Sequence, residues 1–181
     1  ASSQDLSCLE FSSYSGDYVE DGTNEAVENV LAILLENQSE EFLDYATITY
    51  DVGGETAEFV VSGLPPNSKA WVLEKNRMTV KEGIQPEFLD CESSFRDDVI
   101  TKSEDLKVKA KGNTLTAKNV SNETLSNACV YYKNVNSDGN YLGGITYMIS
   151  FDTLKPNDSV EKASAHFSDD SKIVRYGYQK E

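Results

Sequence analysis

The chain of 181 residues holds one histidine, His166, and three cysteines, Cys8, Cys91 and Cys129. A Ser-His-Asp or Cys-His catalytic arrangement would have to be built on His166. That residue stands in Ala163-Ser164-Ala165-His166-Phe167-Ser168 with no nucleophile elbow beside it, and it reads as a strand-end or turn histidine. A zinc site needs clustered Cys and His. Here the cysteines are 83 and 38 residues apart and no C-x-x-C occurs. The pairs Gly53-Gly54 and Gly143-Gly144 lack the frame of a phosphate-binding loop and read as strand-turn glycines. No catalytic residue, metal or cofactor is expected on this inventory.

Carboxylate pairs are the next chemistry to weigh. Glu20-Asp21, Glu40-Glu41, Asp97-Asp98 and Asp169-Asp170 offer oxygens for Ca²⁺. Calcium requires six to eight oxygens around one point, and no EF-hand-like run is present, so a solvated charged face is the expectation. Two carboxylates about 5–9.5 Å apart would also serve a glycosidase, but no local motif marks such a pair. Tyr131, Tyr141, Tyr147, Tyr176 and Tyr178 would stack on pyranose rings if several shared one exposed face. Cross-strand packing of the same rings is the plainer expectation. The sequons at Asn37, Asn119, Asn122 and Asn157 are read as turn chemistry.

The formal charge is −15, from 16 basic and 31 acidic residues. A surface this acidic repels phosphate backbones and anionic headgroups, so neither nucleic acid nor an anionic membrane is an expected partner. Residues 1–88 carry 17 acids and 4 bases, 4 − 17 = −13; residues 89–181 carry 14 and 12, 12 − 14 = −2. Such an asymmetry would let the acidic half meet a basic surface, though solubility accounts for it equally. The longest apolar run, Val30 to Leu35, is six residues, far short of the ~20 a helical membrane span needs. Seventeen Tyr and Phe still allow a packed core.

Three cysteines cannot all pair within one chain. Free buried thiols are the plainer expectation, and Cys8 with Cys91 is the one intramolecular pairing to test. The first residues, Ala1 to Asp5, lack the basic and apolar regions of a signal peptide. The expectation is either a cytosolic chain or one from which a leader and tether were removed, and the composition, rich in Ser, Thr, Asn, Tyr and Asp, favours the second.

These residues are carried on a repeat. Asn37-Gln38-Ser39-Glu40-Glu41-Phe42-Leu43-Asp44-Tyr45-Ala46-Thr47-Ile48-Thr49-Tyr50 matches the stretch from Asn119 to Tyr132 as N-x-S-x-E-x-L-x-x-A-x-[IV]-x-Y, at an offset of 82. Leu64-Pro65-Pro66-Asn67 then lies over Leu154-Lys155-Pro156-Asn157 at an offset of 90. The added length falls in one hairpin, Asn134 to Asn140 against Val52 to Glu55, where insertions belong. Leu6-Ser7-Cys8 lies over Leu89-Asp90-Cys91, a shorter match that would make the two cysteines equivalent. Two tandem copies of one domain are expected, at residues 5–87 and 88–181.

Alternation assigns the strands. Ala46, Ile48 and Tyr50 should face inward, as should Ala128, Val130 and Tyr132. Leu31, Ile33 and Leu35, then Leu115 and Ala117, precede the two Asn turns. Phe59 and Val61 run to the Leu64 turn, and Ile145, Tyr147, Ile149 and Phe151 to the Leu154 turn. Lys69–Leu73 and Val174–Tyr178 are later strands, with Trp71 and Tyr176 as packing residues. Asn37 and Asn119 should bond their own backbone and accept left-handed torsions. Pro66 and Pro156 should end strands. Asn24 to Glu36 also has helical spacing at Val27, Val30, Leu31 and Leu34, but its counterpart Leu106 to Ala110 alternates, which favours a strand. A short helix from Ile84 to Leu89 is expected at the junction. The sum is an all-β chain of two sandwiches.

The order strand, Asn-x-Ser turn, alternating strand, hairpin, Leu-x-Pro-Asn turn resembles the immunoglobulin-like domains of bacterial surface proteins, including the FxLYD type; Phe42-Leu43-Asp44-Tyr45 approximates that motif. The stretch with Val130-Tyr131-Tyr132-Lys133 and Tyr141-Leu142-Gly143-Gly144-Ile145-Thr146-Tyr147 is similar to uncharacterised secreted or lipid-anchored proteins of Gram-positive gut bacteria. The resemblance implies two tandem immunoglobulin-like β-sandwiches and an extracellular or cell-surface setting. The expected role is a non-catalytic module for spacing, adhesion or protein binding, with a protein or glycan as partner. The alternative is a carbohydrate-binding module using Tyr131, Tyr141, Tyr147 and Tyr176.

Overall fold

The computed structural model describes residues 5–181, which form twelve strands and no helix. The chain divides into two compact units: residues to Asp97 with Asn136–Ile145, and Asp98–Val135 with Thr146–Glu181. The strand β6, Glu87–Arg96, which begins at the expected junction, pairs with a strand of the first unit.

In the first unit, β1 (Leu6–Tyr18) pairs antiparallel with β2 (Glu25–Asn37), and β2 with β5 (Ser68–Leu73). Tyr141 and Leu142, which open β10 (Tyr141–Leu154), pair in parallel with Ala70 and Trp71. The other sheet runs β4 (Glu55–Val61), β3 (Phe42–Val52), β6. The core lies where Leu31, Ile33 and Leu35 meet Ala46, Ile48, Tyr50, Phe59 and Val61.

The strand β2 explains its own ambiguous pattern. Val30 through Leu35 are all buried. Leu31, Ile33 and Leu35 enter the main core, while Val30 and Ala32 pack on the opposite face with Tyr18, Val19 and Leu73. A strand covered on both faces loses its alternation and becomes a continuous apolar run. That run is the six-residue stretch that also fits helical spacing.

The second unit holds β7 (Leu106–Lys111), β8 (Thr114–Asn119), β9 (Leu125–Val135), the later residues of β10, β11 (Ser159–Ala163) and β12 (Ser171–Lys180). Its sheets run β11-β8-β7 and β10-β9-β12. Leu115, Ala117, Ala128, Val130, Tyr132, Ile149 and Phe151 form its core. Ile145 and Tyr147 are half-buried.

Turns follow from residue chemistry. Gly53 and Gly54, at φ of 60° and 91°, close a two-residue hairpin between β3 and β4. The corresponding β9–β10 connection is closed by Asn136 N–H donating to the Asn140 carbonyl at 2.7 Å, with Gly139 at φ 85°. The left-handed torsions of the paired turns sit at Asn67 (56°) and Asn157 (69°), beyond Pro66 and Pro156. They do not sit at Asn37 and Asn119. Those two residues are buried and serve through their side chains.

Two further expectations need correction. No helix forms from Ile84 to Leu89; β6 begins at Glu87. Six residues give too few hydrogen bonds to offset helix nucleation, whereas Phe88 pairs with Tyr50 and sets its ring 5.7 Å from that of Tyr50. Cys8 and Cys91 are not equivalent, because β1 pairs with β2 and β6 with β3, in different sheets. All three thiols are free. Cys8 donates to the Glu10 carbonyl at 4.0 Å. Burial is the first cause holding the Cys8 and Cys91 thiols above the ordinary range.

Candidate functional site

The first unit contains a cleft of about 430 Å³ lined by Tyr18, Glu20, Tyr45, Ser62, Lys75 and Gly144 among others. Glu20 sits just beyond β1. Its carboxylate accepts from the Leu73 amide at 2.8 Å, the Gly144 amide at 2.9 Å and the Ile145 amide at 3.1 Å. Three backbone donors thus converge on one side chain. The carboxylate completes the cleft wall and satisfies all three donors.

Gly144 must be glycine there. A Cβ built on it would lie 2.0 Å from the Val60 carbonyl oxygen. The same peptide is held from the other side, since its carbonyl accepts from the Ser62 amide at 2.8 Å. Gly143, at φ 90°, lets the chain turn into this position. Nearby, Trp71 Nε1 donates to Asp138 Oδ2 at 2.7 Å, the first cause lowering the Asp138 carboxyl.

The remaining polar groups of the cleft are also engaged. Tyr18 shares its hydroxyl proton between the carbonyls of Glu74 and Lys75, at 2.8 and 2.9 Å. Burial first, then the charges of Glu20, Glu74 and Asp21, push it up to about 12. Asp21 accepts from the Thr23 hydroxyl at 2.6 Å and from Arg77 at 2.8 Å, and the Thr23 bonds lead in lowering it to about 2. Arg77 in turn lies 4.5 Å over the Tyr18 ring. The fully buried Glu74 accepts from the amides of Glu58, Asn76 and Met78, at 2.8, 2.7 and 2.9 Å. It builds the turn that follows β5.

The tyrosines singled out from sequence are distributed between the units. Tyr141 is half-buried against the first core. Tyr131, Tyr147 and Tyr176 lie in the second unit, all half-buried. The Arg175 guanidinium stands 4.3 Å over the Tyr131 ring. Tyr147 stacks on Tyr132 at 5.2 Å and on His166 at 4.6 Å. His166 occupies the turn after β11, and its carbonyl accepts from Asn134 Nδ2 at 3.2 Å. Among the described residues, no group of three or more His, Cys, Asp or Glu is arranged to hold a metal ion. Among the described residues, no helix is long and apolar enough to cross a membrane.

Glu20 was singled out only as half of a carboxylate pair, and Trp71 only as a packing residue; the three amides on Glu20, the role of Glu74 and the Trp71–Asp138 bond were not read from sequence. The one local sign was the Gly143-Gly144 pair, which marks a close backbone approach without naming what approaches. No protein-family model matches the chain, and no curated protein does.

Proposed function

We propose that this chain is a non-catalytic module of a secreted or surface-exposed bacterial protein. It would be built from two copies of one immunoglobulin-like sandwich and serve spacing, adhesion or protein binding. The observation that carries the non-catalytic reading is Glu20. The acid best placed in the cleft has three backbone amides as partners, so its chemistry is structural. Duplication is supported by strand order, which is β5-β2-β1 with β4-β3-β6 in one unit and β11-β8-β7 with β10-β9-β12 in the other. The matching roles of Asn37 with Asn119, and of Asn67 with Asn157, support it further. A lipid tether upstream and a Gram-positive host are part of the same reading.

The glycan-binding alternative draws less support, because Tyr131 and Tyr147 already stack on Arg175, Tyr132 and His166. The test is antibody labelling of intact, unpermeabilised cells that make the native protein. Surface signal removed by external protease is the expected result. Signal only after lysis would sink the proposal.

A further inference from the structure

Charge is segregated between the two units more sharply than between the two halves of the sequence. The first unit holds 21 acids and 5 bases, 5 − 21 = −16; the second holds 10 acids and 11 bases, 11 − 10 = +1. In each unit one three-stranded sheet gathers part of this charge on its outer face, five of the 21 acids in the first and four of the 11 bases in the second. Register shows how.

On β7-β8-β11, Lys107 stands opposite Lys118, Lys109 opposite Thr116, and Lys111 opposite Thr114. The next strand continues these rows with Ser159, Glu161 and Ala163. The opposite face carries Leu106, Leu115 and Ala117 into the core. The outer face is therefore four exposed lysines and one exposed glutamate, Glu161, on a floor of short Thr, Ser and Ala side chains. On β4-β3-β6, the outer rows are Val60, Thr47, Glu92, then Glu58, Thr49, Asp90, then Thr56, Asp51, Glu87. This is five carboxylates on a floor of three threonines.

Like charges directly opposite each other oppose sheet formation. Lys107 against Lys118 and Asp51 against Glu87 are such pairs. Among the described residues, none of the four lysines and neither member of the Asp51–Glu87 pair has an ion-pair partner. A surface designed only for solubility intersperses both signs. One sign predominates on each face, with Glu161 among the lysines and Lys75 holding Glu58 at 3.5 Å on the acidic side, and both faces have three strands.

We infer that the lysine face of β7-β8-β11 docks on the carboxylate face of β4-β3-β6 in a second copy of this chain. The contact is heterologous, one face meeting a different face. Net charge of −15 opposes approach at long range, but screening confines that repulsion to about 8 Å at physiological salt. Inside that distance the opposed signs decide orientation. Three strands at ~4.8 Å spacing and five residues at ~3.3 Å make a patch of roughly 10 by 13 Å between outer Cα atoms. This is well below the ~800 Å² per partner of a stable interface, so the association is weak and reversible. The inference does not depend on the protein being a surface module.

The test is sedimentation velocity of the whole chain over a concentration series reaching about 1 mM, in ~0.15 M and ~0.5 M salt. Wild type should associate with concentration at the lower salt and weaken about tenfold or more at the higher. The triple variants K107E/K109E/K118E and D51K/D90K/E92K should each stay monomeric, and their equimolar mixture should regain association. The second variant has the lower net charge. If net charge alone governed association, it would self-associate more than wild type, and that result overturns the inference. So does a monomeric wild type throughout, or a wild type that stays monomeric while binding short-chain polyphosphate. Should a variant lose its β-sheet circular dichroism, carbodiimide coupling of a ¹⁴N/¹⁵N wild-type mixture takes its place. Mixed-isotope cross-links joining Lys107, Lys109, Lys111 or Lys118 to the five carboxylates support the contact; cross-links elsewhere or none overturn it.

Discussion

Asn37 Nδ2 donates to the backbone carbonyl of Leu64 at 3.0 Å, a bond across 27 residues made with no exposure to solvent. Its second proton reaches the Glu41 carbonyl at 3.0 Å, and its Oδ1 accepts from the Ser39 amide at 3.0 Å. One side chain therefore ties the end of β2, the following turn and the end of the next hairpin. Asn119 makes the same set with Leu154, Glu123 and Ser121. The Leu64 carbonyl also accepts from the Leu43 amide at 2.9 Å, so truncating Asn37 removes the side chain's own bonds without orphaning that carbonyl.

Asn37→Ala and Asn119→Ala should each lower unfolding free energy by about 1–3 kcal/mol in urea titrations. Asn37→Asp should cost more than Asn37→Ala, because it sets a carboxylate against the Leu64 carbonyl. An Asp variant as stable as wild type would show that the Nδ2 bonds contribute nothing.

Gly144→Ala places a methyl group where the Val60 carbonyl oxygen already is. Backbone on both sides must shift, and the expected loss is about 3 kcal/mol or more. Gly139→Ala is the control. It has left-handed torsions at φ 85° but open space around its Cβ, so only backbone strain of about 1–2 kcal/mol applies. Equal midpoints for the two variants in denaturant titrations would contradict the close approach at Gly144.

Much of the fold was legible because Ala46-Ile48-Tyr50 and Ala128-Val130-Tyr132 alternate; β3 is covered on one face, and the period survives in β9 although Cys129 and Lys133 on its other face are buried too. The strand β2 was harder to read, since burial on both faces erases the period. The cleft was barely legible. Glu20 meets amides 53 and 124 residues further along the chain, and a carboxylate bound to backbone leaves no side-chain pattern at the other end. Tyr131 and Tyr147 were legible as aromatics, but not as rings stacked on Arg175 and His166. Cys8 and Cys91 misled for a related reason. A three-residue match fixed their spacing, while sheet membership was decided by pairing partners outside it.

Glu20→Gln separates a structural acid from a catalytic one. The amide keeps the shape but turns an NH₂ toward backbone N–H donors, so about 1–3 kcal/mol of stability should be lost. A catalytic carboxylate would behave oppositely, losing turnover with stability intact. Denaturant titration beside a panel of glycoside and ester substrates distinguishes the two. An unchanged stability would remove Glu20 as the organiser of the cleft.

Tyr18 fixes the alkaline limit. Its hydroxyl titrates near 10 in an unfolded chain and is pushed up to about 12 in the folded one, chiefly by burial. Between these values the unfolded state has released the proton that the folded state still holds. Unfolding then releases a proton, and stability falls as pH rises. The contribution is whole below pH 10 and is gone above about 12. Tyr50, Tyr132 and Tyr141 are shifted upward by burial too and add to the same fall. Tyr18→Phe should therefore lower stability at pH 8, where the bonds to the Glu74 and Lys75 carbonyls are lost. It should also make the decline between pH 10 and 12 shallower by one proton's share. Urea midpoints measured at half-unit steps across that range would show the two curves converging, and parallel curves would mean that Tyr18 ionises alike in both states.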